Sequence, residues 1–156
     1  MTKSRKHDFF IKFASILLLL FLLPSCKDTK SAEDVLFNIT KDFDDLPDGS
    51  VYLSSAEEGS QKFLSVSMIN SLYHDDASKY EFSLIEEYAI YISNFAKPCE
   101  IAVYKCYSSS DTDLIATMCL RRIEKLRAML AGTSFCEIID SADVEVKGHF
   151  VIVTMT

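Results

Sequence analysis

An apolar run near the start of the chain decides how much of it is available to form a folded domain. The run, Phe13 to Leu23, is about eleven residues long and follows four basic residues. A helix of that length covers roughly 16 Å, about half of the ~30 Å hydrocarbon core of a bilayer. The pattern is typical of a cleaved export signal rather than a membrane-spanning helix. The fold must therefore come from the residues that follow.

The end of this run carries a candidate site of lipid attachment. Leu23-Pro24-Ser25-Cys26 resembles the lipobox of bacterial lipoproteins, which implies that Cys26 receives a thioether-linked diacylglycerol and becomes the mature N-terminus. Two acyl chains give stable anchoring, so we predict a lipid-anchored protein on the extracytoplasmic face of the cell membrane. An uncleaved signal anchor and an ordinary secretory signal are the alternatives. The predicted organisation is a signal peptide over 1–25, a lipidated tether over 26–31 and a single domain over 32–156.

The mature chain is predicted to be acidic. Cleavage before Cys26 leaves 131 residues, enough for one domain with a hydrophobic core. Lys plus Arg falls from 16 to 12 and Asp plus Glu from 23 to 22, which leaves a net charge of −10. Such a surface repels nucleic acid and anionic phospholipid headgroups. We therefore predict no nucleic-acid partner, and attachment to the membrane by lipid rather than by charge.

Three helices are predicted from caps and apolar spacing. The first begins at Ser31, which forms a capping box with Asp34, and the second follows the apolar residues from Leu64 to Leu72. The third and longest opens with another capping box, Ser110 with Asp113. Its apolar stripe must lie on a hydrophobic sheet face and consists of Ile115, Cys119, Ile123, Leu126 and Leu130.

The same long helix carries a run of basic residues. These are Arg121, Arg122, Lys125 and Arg127. A charge run on a helix is usually its solvated face, and this is the interpretation we adopt, with a basic partner site as the alternative.

Two pairs of strands are predicted from β-branched and aromatic residues. Leu84 to Ser93 and Glu100 to Tyr107 form one antiparallel hairpin, and Ala142 to Val146 and His149 to Met155 form another around Lys147-Gly148, where Gly148 supplies a positive φ. The last strand is apolar on both faces and is predicted to be central rather than at an edge. The polar segment 50–62 holds one short strand or turn. The predicted class is α+β: an antiparallel sheet of about four strands, one long amphipathic helix on one face and two shorter N-terminal helices, in the order α-α-β-β-α-β-β.

Four cysteines follow Cys26, and they admit either buried thiols or disulfides. Cys99 and Cys106 have opposite parity in one strand and point to opposite faces, so they cannot bond to each other. Cys119 lies on the apolar stripe, where a free cysteine behaves as a small hydrophobic residue. Cys136 completes the set. We favour buried thiols over at least one disulfide, and no spacing suggests zinc.

The order of these elements resembles a family of small lipoproteins from Gram-positive anaerobes that share a domain of unknown function. The resemblance is carried by the lipobox and by four segments, EYAIYIS, EIAVYK, Leu120-Arg121-Arg122-Ile123 and the closing Val-x-x-Lys-Gly-x-Phe-Val-Ile-Val. It covers roughly Ala32 to Thr154. It implies an extracytoplasmic lipoprotein without established activity, and it supplies no catalytic residues.

Few residues suggest catalysis. His74 with Asp75 and Asp76 is a candidate metal site, although a polar turn that ends the second helix is the plainer interpretation. His149 is a half-exposed residue beside a turn rather than a catalytic base. There are two pairs of adjacent acidic residues, Glu57-Glu58 and Glu86-Glu87. Two carboxylates are the groups that glycoside hydrolysis needs, but adjacent residues in a strand point to opposite faces.

The absence of a serine elbow, a phosphate-binding loop or a paired nucleophile and base in the sequence favours a non-enzymatic function. We predict a lipid-anchored binding or scaffold protein of the bacterial cell envelope, with no cofactor, whose partner is an envelope protein or peptide. The alternative is a small envelope hydrolase or metal-dependent enzyme whose site is assembled from distant residues.

Overall fold

The computed structural model describes residues 30–73, 81–94 and 97–156. Within these ranges five antiparallel strands form one open sheet in the order β1-β2-β3-β5-β4. No helix among them is both long and apolar enough to cross a membrane. The elements are α1 (Ala32–Thr40), β1 (Gly49–Leu53), α2 (Val66–Tyr73), β2 (Ile85–Ser93), β3 (Glu100–Cys106), α3 (Thr112–Met129), α4 (Cys136–Asp140), β4 (Asp143–Lys147) and β5 (Phe150–Met155).

The predicted α+β class is confirmed, with one more strand and one more helix than expected. The extra strand is β1, which lies at the start of the polar segment for which the sequence predicted either a short strand or a turn. It pairs only with β2, at the edge of the sheet, and an edge strand needs less apolar surface than a central one. The extra helix is α4, a single turn between Gly132 and β4.

The two predicted hairpins are confirmed. β2 and β3 pair antiparallel, with Tyr88 opposite Tyr104, and β5 lies between β3 and β4, as its apolar residues on both faces require. Lys147 pairs with Phe150, so the turn is Gly148-His149, one residue later than expected. Gly148 has the predicted positive φ, 62°, which a side chain would oppose.

Each face of the sheet has its own hydrophobic core. On one face α2, α3 and α4 pack on residues such as Tyr88, Ala102 and Val153. On the other face α1 packs on residues such as Tyr91, Val103 and Ile152. The predicted stripe of α3 is confirmed in the first core, where Ile115, Cys119 and Ile123 are buried and Leu126 and Leu130 pack at the margin.

The start of α1 is fixed to the sheet by a long-range hydrogen bond. The predicted capping box between Ser31 and Asp34 is present, and Ser31 Oγ accepts from the Asp34 N–H at 3.0 Å. The Ala32 N–H, which has no acceptor within the helix, donates to Glu87 Oε2 of β2 at 2.9 Å. A carboxylate at a helix N-terminus also complements the helix dipole.

The second predicted capping box, at the start of α3, is wrong. The N-cap is Asp111, and its side chain makes no capping bond. Residues 108–111 form a turn closed by the Asp111 N–H and the Ser108 carbonyl at 3.1 Å. Ser110 Oγ is directed to Ser108 Oγ at 2.9 Å within that turn, so it is not available to cap the helix.

Candidate functional site

The structure describes only part of the predicted site residues. Cys26, His74, Asp75 and Asp76 lie outside the described residues. His149 is half-buried in the β4–β5 turn, and its carbonyl accepts from the Cys106 N–H at 2.8 Å. Within the described ranges no three His, Cys, Asp or Glu side chains are grouped in a way that could hold a metal ion.

The two acidic pairs also differ from expectation. Glu57 and Glu58 are exposed in the segment after β1. Glu86 and Glu87 do not point apart as a regular strand would require, because the register shifts between Ile85 and Glu87. The bulge brings both carboxylates to Lys105 Nζ, at 3.6 and 3.1 Å. Glu86 and Glu87 are therefore held as an ion-pair cluster rather than as a separated acid and base.

The prediction that the basic residues of α3 form a solvated face is wrong for Arg122. Its side chain is 13% exposed and pairs with Glu100, which is 5% exposed, at 2.5 Å between Nη2 and Oε2. Arg122 Nε donates to the same carboxylate at 3.0 Å, a bidentate geometry. Burial alone would lower the pKa of Arg122, but the Glu100 charge outweighs it and the pKa is raised.

Arg122 also caps the C-terminal end of α2. Its Nη1 donates to the Leu72 carbonyl, and Lys125 Nζ donates to the Tyr73 carbonyl at 3.1 Å. Cations at a helix C-terminus satisfy free carbonyls and complement the dipole. Arg121 pairs with the buried Glu81 at 2.6 Å. The basic run thus joins α3 to its neighbours.

Two buried tyrosines complete this centre. The hydroxyls of Tyr73 and Tyr104 are hydrogen-bonded to each other, and the Arg122 guanidinium lies 5.5 Å from the Tyr73 ring centroid. Burial raises the pKa of both phenols well above their ordinary value. Perturbed groups often mark active sites, but the cavity beside these residues holds only about 10 Å³. This centre has no room for a ligand and its role is structural.

The four cysteines in the described part of the chain are free thiols, as favoured from the sequence. Cys99, Cys106 and Cys119 are buried, and Cys136 is half-buried. Cys99 and Cys106 lie in opposite cores, as their parity predicted. Burial raises the pKa of the Cys99 thiol and raises that of Cys106 to about 11. These thiols are neutral near pH 7 and are poor nucleophiles.

An open cleft lies beside α1. A helix is about 10 Å wide and strands lie about 4.8 Å apart, so one helix covers about two strands. α1 packs on β2 and β3, and the same face of β5 and β4 is left with a cleft of about 570 Å³. Its lining residues are Lys30, Val35, Asn38, Ile39, Glu145, Lys147, Gly148, Phe150, Ile152 and Thr154.

The cleft has an apolar floor and a charged rim. Phe150 and Ile152 of β5 form the floor, and Val35 and Ile39 of α1 form one wall. Lys147 and Glu145 stand on the β4 side and pair with each other at 2.7 Å. Apolar surface framed by a few polar groups is the usual composition of a binding site.

Sequence reasoning missed this cleft. Its walls follow the apolar spacing of an ordinary core helix, and the spacing does not say which strands the helix covers. One signal was available: a helix of nine residues is too small to cover one face of a sheet of four or more strands. The first described residue, Lys30, lines the cleft, so the N-terminal segment joins the domain there.

The chain was compared with models of protein families, with curated proteins and with solved structures. None of them matches it.

Proposed function

We propose that this protein is a lipid-anchored, extracytoplasmic binding module of the bacterial cell envelope. Its partner is an envelope protein or peptide that places an apolar segment in the cleft between α1 and β4–β5. The observation that carries the proposal is the open cleft of about 570 Å³ between α1 and the β4–β5 hairpin, with Phe150 and Ile152 at its base. The resemblance of the sequence to small lipoproteins supports the lipid anchor.

The position of the cleft suits a tethered protein. Lys30 is the fourth residue after Cys26, and an extended chain spans at most about 3.6 Å per residue. Lipid on Cys26 would hold this end of the cleft within about 14 Å of the attachment point. The binding surface would then face partners in or near the same membrane.

The chemistry of the cleft suits binding better than catalysis. Its polar lining consists of two lysines, one glutamate, one asparagine and one threonine, and Lys147 is already paired with Glu145. A general base must lie within hydrogen-bond reach of a group it activates, and the described residues of the cleft include no such pair. The enzymatic alternative has no supporting observation in the described residues.

Replacement of Cys26 by alanine is expected to abolish incorporation of a radioactive fatty acid into the protein. The reason is that the thioether sulfur is the only attachment point for the diacylglycerol. Mass spectrometry of the wild-type N-terminus should show an acylated Cys26 and no residues 1–25. Unchanged label in the Cys26→Ala variant, or an intact N-terminus, would contradict the anchor.

A photoreactive amino acid at Asn38, which lines the cleft, is expected to crosslink one discrete partner in intact membranes. The matched control places the same group at Phe37, which is 61% exposed and does not line the cleft. The additional change Ile39→Gln should lower the Asn38 adduct by about tenfold, since burying such a side chain contributes about 1.5–3 kcal/mol. Equal adducts from both positions would refute the cleft as the binding surface.

A further inference from the structure

The two edges of the sheet are built differently. β4, at one edge, has charged residues at three of its five positions, Asp143, Glu145 and Lys147. β1, at the other edge, is GSVYL and carries no charge. Charges on an edge strand discourage pairing with another chain, and an uncharged edge leaves it open. Only β4 therefore has this protection.

Hydrogen bonds at both ends of β1 show which of its backbone groups face outward. The Asn94 N–H donates to the Asp48 carbonyl at 2.9 Å and the Ser54 N–H to the Tyr88 carbonyl at 3.0 Å, so even-numbered residues face β2. Odd-numbered residues therefore face away from the sheet. The Leu53 N–H is taken by the Lys62 carbonyl at 2.9 Å. Gly49 and Val51 have no backbone partner among the described residues.

We propose that β1 pairs antiparallel with β1 of a second copy of this chain, about a two-fold axis at Ser50. In this register Gly49 of each copy lies opposite Val51 of the other, and the pair exchanges N–H···O bonds. The four bonds use the outward N–H and C=O groups of both residues and leave the Leu53–Lys62 bond intact. The product is one continuous sheet of twice five strands.

The second copy is favoured over a foreign strand by the position of the N-terminal segment. The two-fold axis of an antiparallel strand pair is perpendicular to the sheet, so it keeps both α1 helices on the same face. Both copies of Lys30 then lie on that face, and both tethers reach one membrane. This argument rests on the proposed lipid anchor. Anchoring in one bilayer also raises the effective concentration of the copies, which supports pairing through a short strand.

Apolar side chains accompany this edge on the α1 face. Val51 lies opposite Tyr91 of the α1-side core and is 37% exposed. The added strand would cover apolar surface on Val51.

Disulfide trapping at Ser50 tests the pairing in the full-length, membrane-anchored protein. At a non-hydrogen-bonded pair the Cβ atoms are about 4.5–5.5 Å apart, close to disulfide geometry. Under mild oxidation Ser50→Cys is expected to give a dimer of twice the monomer mass, at least tenfold more than the matched control Glu145→Cys on the exposed β4 edge. The unchanged chain, with only Cys136 partly accessible in the described domain, gives the background.

Val51→Pro in the Ser50→Cys chain tests the hydrogen bonds. Proline removes an outward N–H, which an edge strand tolerates, and should reduce the dimer at least tenfold. Val51→Thr keeps the N–H and the β-branch and should retain it. Val51→Lys provides a second blocking variant if proline lowers the melting temperature, because a lysine on the edge opposes pairing without removing a hydrogen-bonding group.

The outcomes are distinct. Equal trapping at Ser50 and Glu145, or an adduct of Ser50→Cys with a different protein, would overturn pairing between copies. Dimer unaffected by both Val51→Pro and Val51→Lys would also overturn it. Fatty-acid label is measured in the same samples: label without dimer rejects the pairing alone, and dimer without label rejects the lipid anchor while it leaves the strand pairing standing.

Discussion

Replacement of Arg122 by alanine is expected to lower the free energy of unfolding by about 3–5 kcal/mol. The change leaves the Glu100 carboxylate, which is 5% exposed, buried without its partner. It also removes the donor to the Leu72 carbonyl, so that carbonyl at the end of α2 loses its hydrogen bond to the arginine. Urea denaturation followed by circular dichroism measures the difference directly.

Two variants separate the buried ion pair from general effects of removing an arginine. Arg127 pairs with Asp140 at the surface, with side chains 49% and 63% exposed, and Arg127→Ala should cost about 0–1 kcal/mol. The double change Arg122→Met with Glu100→Met should recover most of the loss, because apolar residues replace buried charges well. If Arg122→Ala costs no more than Arg127→Ala, the buried pair does not hold the fold.

Stability is expected to fall steeply as the pH rises above about 9. Burial raises the pKa of the Cys106 thiol to about 11 and raises that of Cys119 further. In the unfolded chain a thiol titrates near 8.5. Between these values the unfolded state has released protons that the folded state retains, so each pH step favours unfolding. The stability that the buried Cys106 thiol contributes is fully present below the unfolded pKa and is lost as the pH rises toward 11.

The buried phenols act in the same direction at higher pH. Burial raises the pKa of Tyr73 and Tyr104 above their ordinary value, and the unfolded phenols titrate near 10. Thermal melts from pH 7 to pH 11 under reducing conditions measure the combined effect. The double change Tyr73→Phe with Tyr104→Phe should flatten the decline above pH 10. A melting temperature that is constant to pH 11 would contradict the burial of these groups.

The central part of the fold was predictable because local pattern and burial agree there. The apolar residues on both sides of β5 placed it between two strands, and the spacing of Ile115, Cys119 and Ile123 placed α3 on a sheet face. Period 2 and period 3.6 are strong signals where a strand or helix is continuous. The capping box at Ser31 is equally local, since its partners are three residues apart.

Features that depend on distant residues were not predictable. Arg122 is adjacent to Ile123 of the buried stripe, and only the position of Glu100, 22 residues earlier, decides that it lies inside. Glu86 and Glu87 share Lys105 because of a bulge, which residue alternation cannot indicate. The cleft and the free edge of β1 both depend on the order of the strands in the sheet, which local sequence patterns do not determine.

The hydrogen bond between Glu87 and the first turn of α1 also determines how the domain bears mechanical load. A force applied at Lys30 reaches the Ala32 N–H, which is held by Glu87 of β2 at 2.9 Å. Glu87 is in turn paired with Lys105 of β3 at 3.1 Å. Tension is thus passed into two central strands that resist together along their whole ladder. A pull on the N-terminal end is therefore expected to load β2 and β3 through the Glu87 carboxylate as well as through the packing of α1.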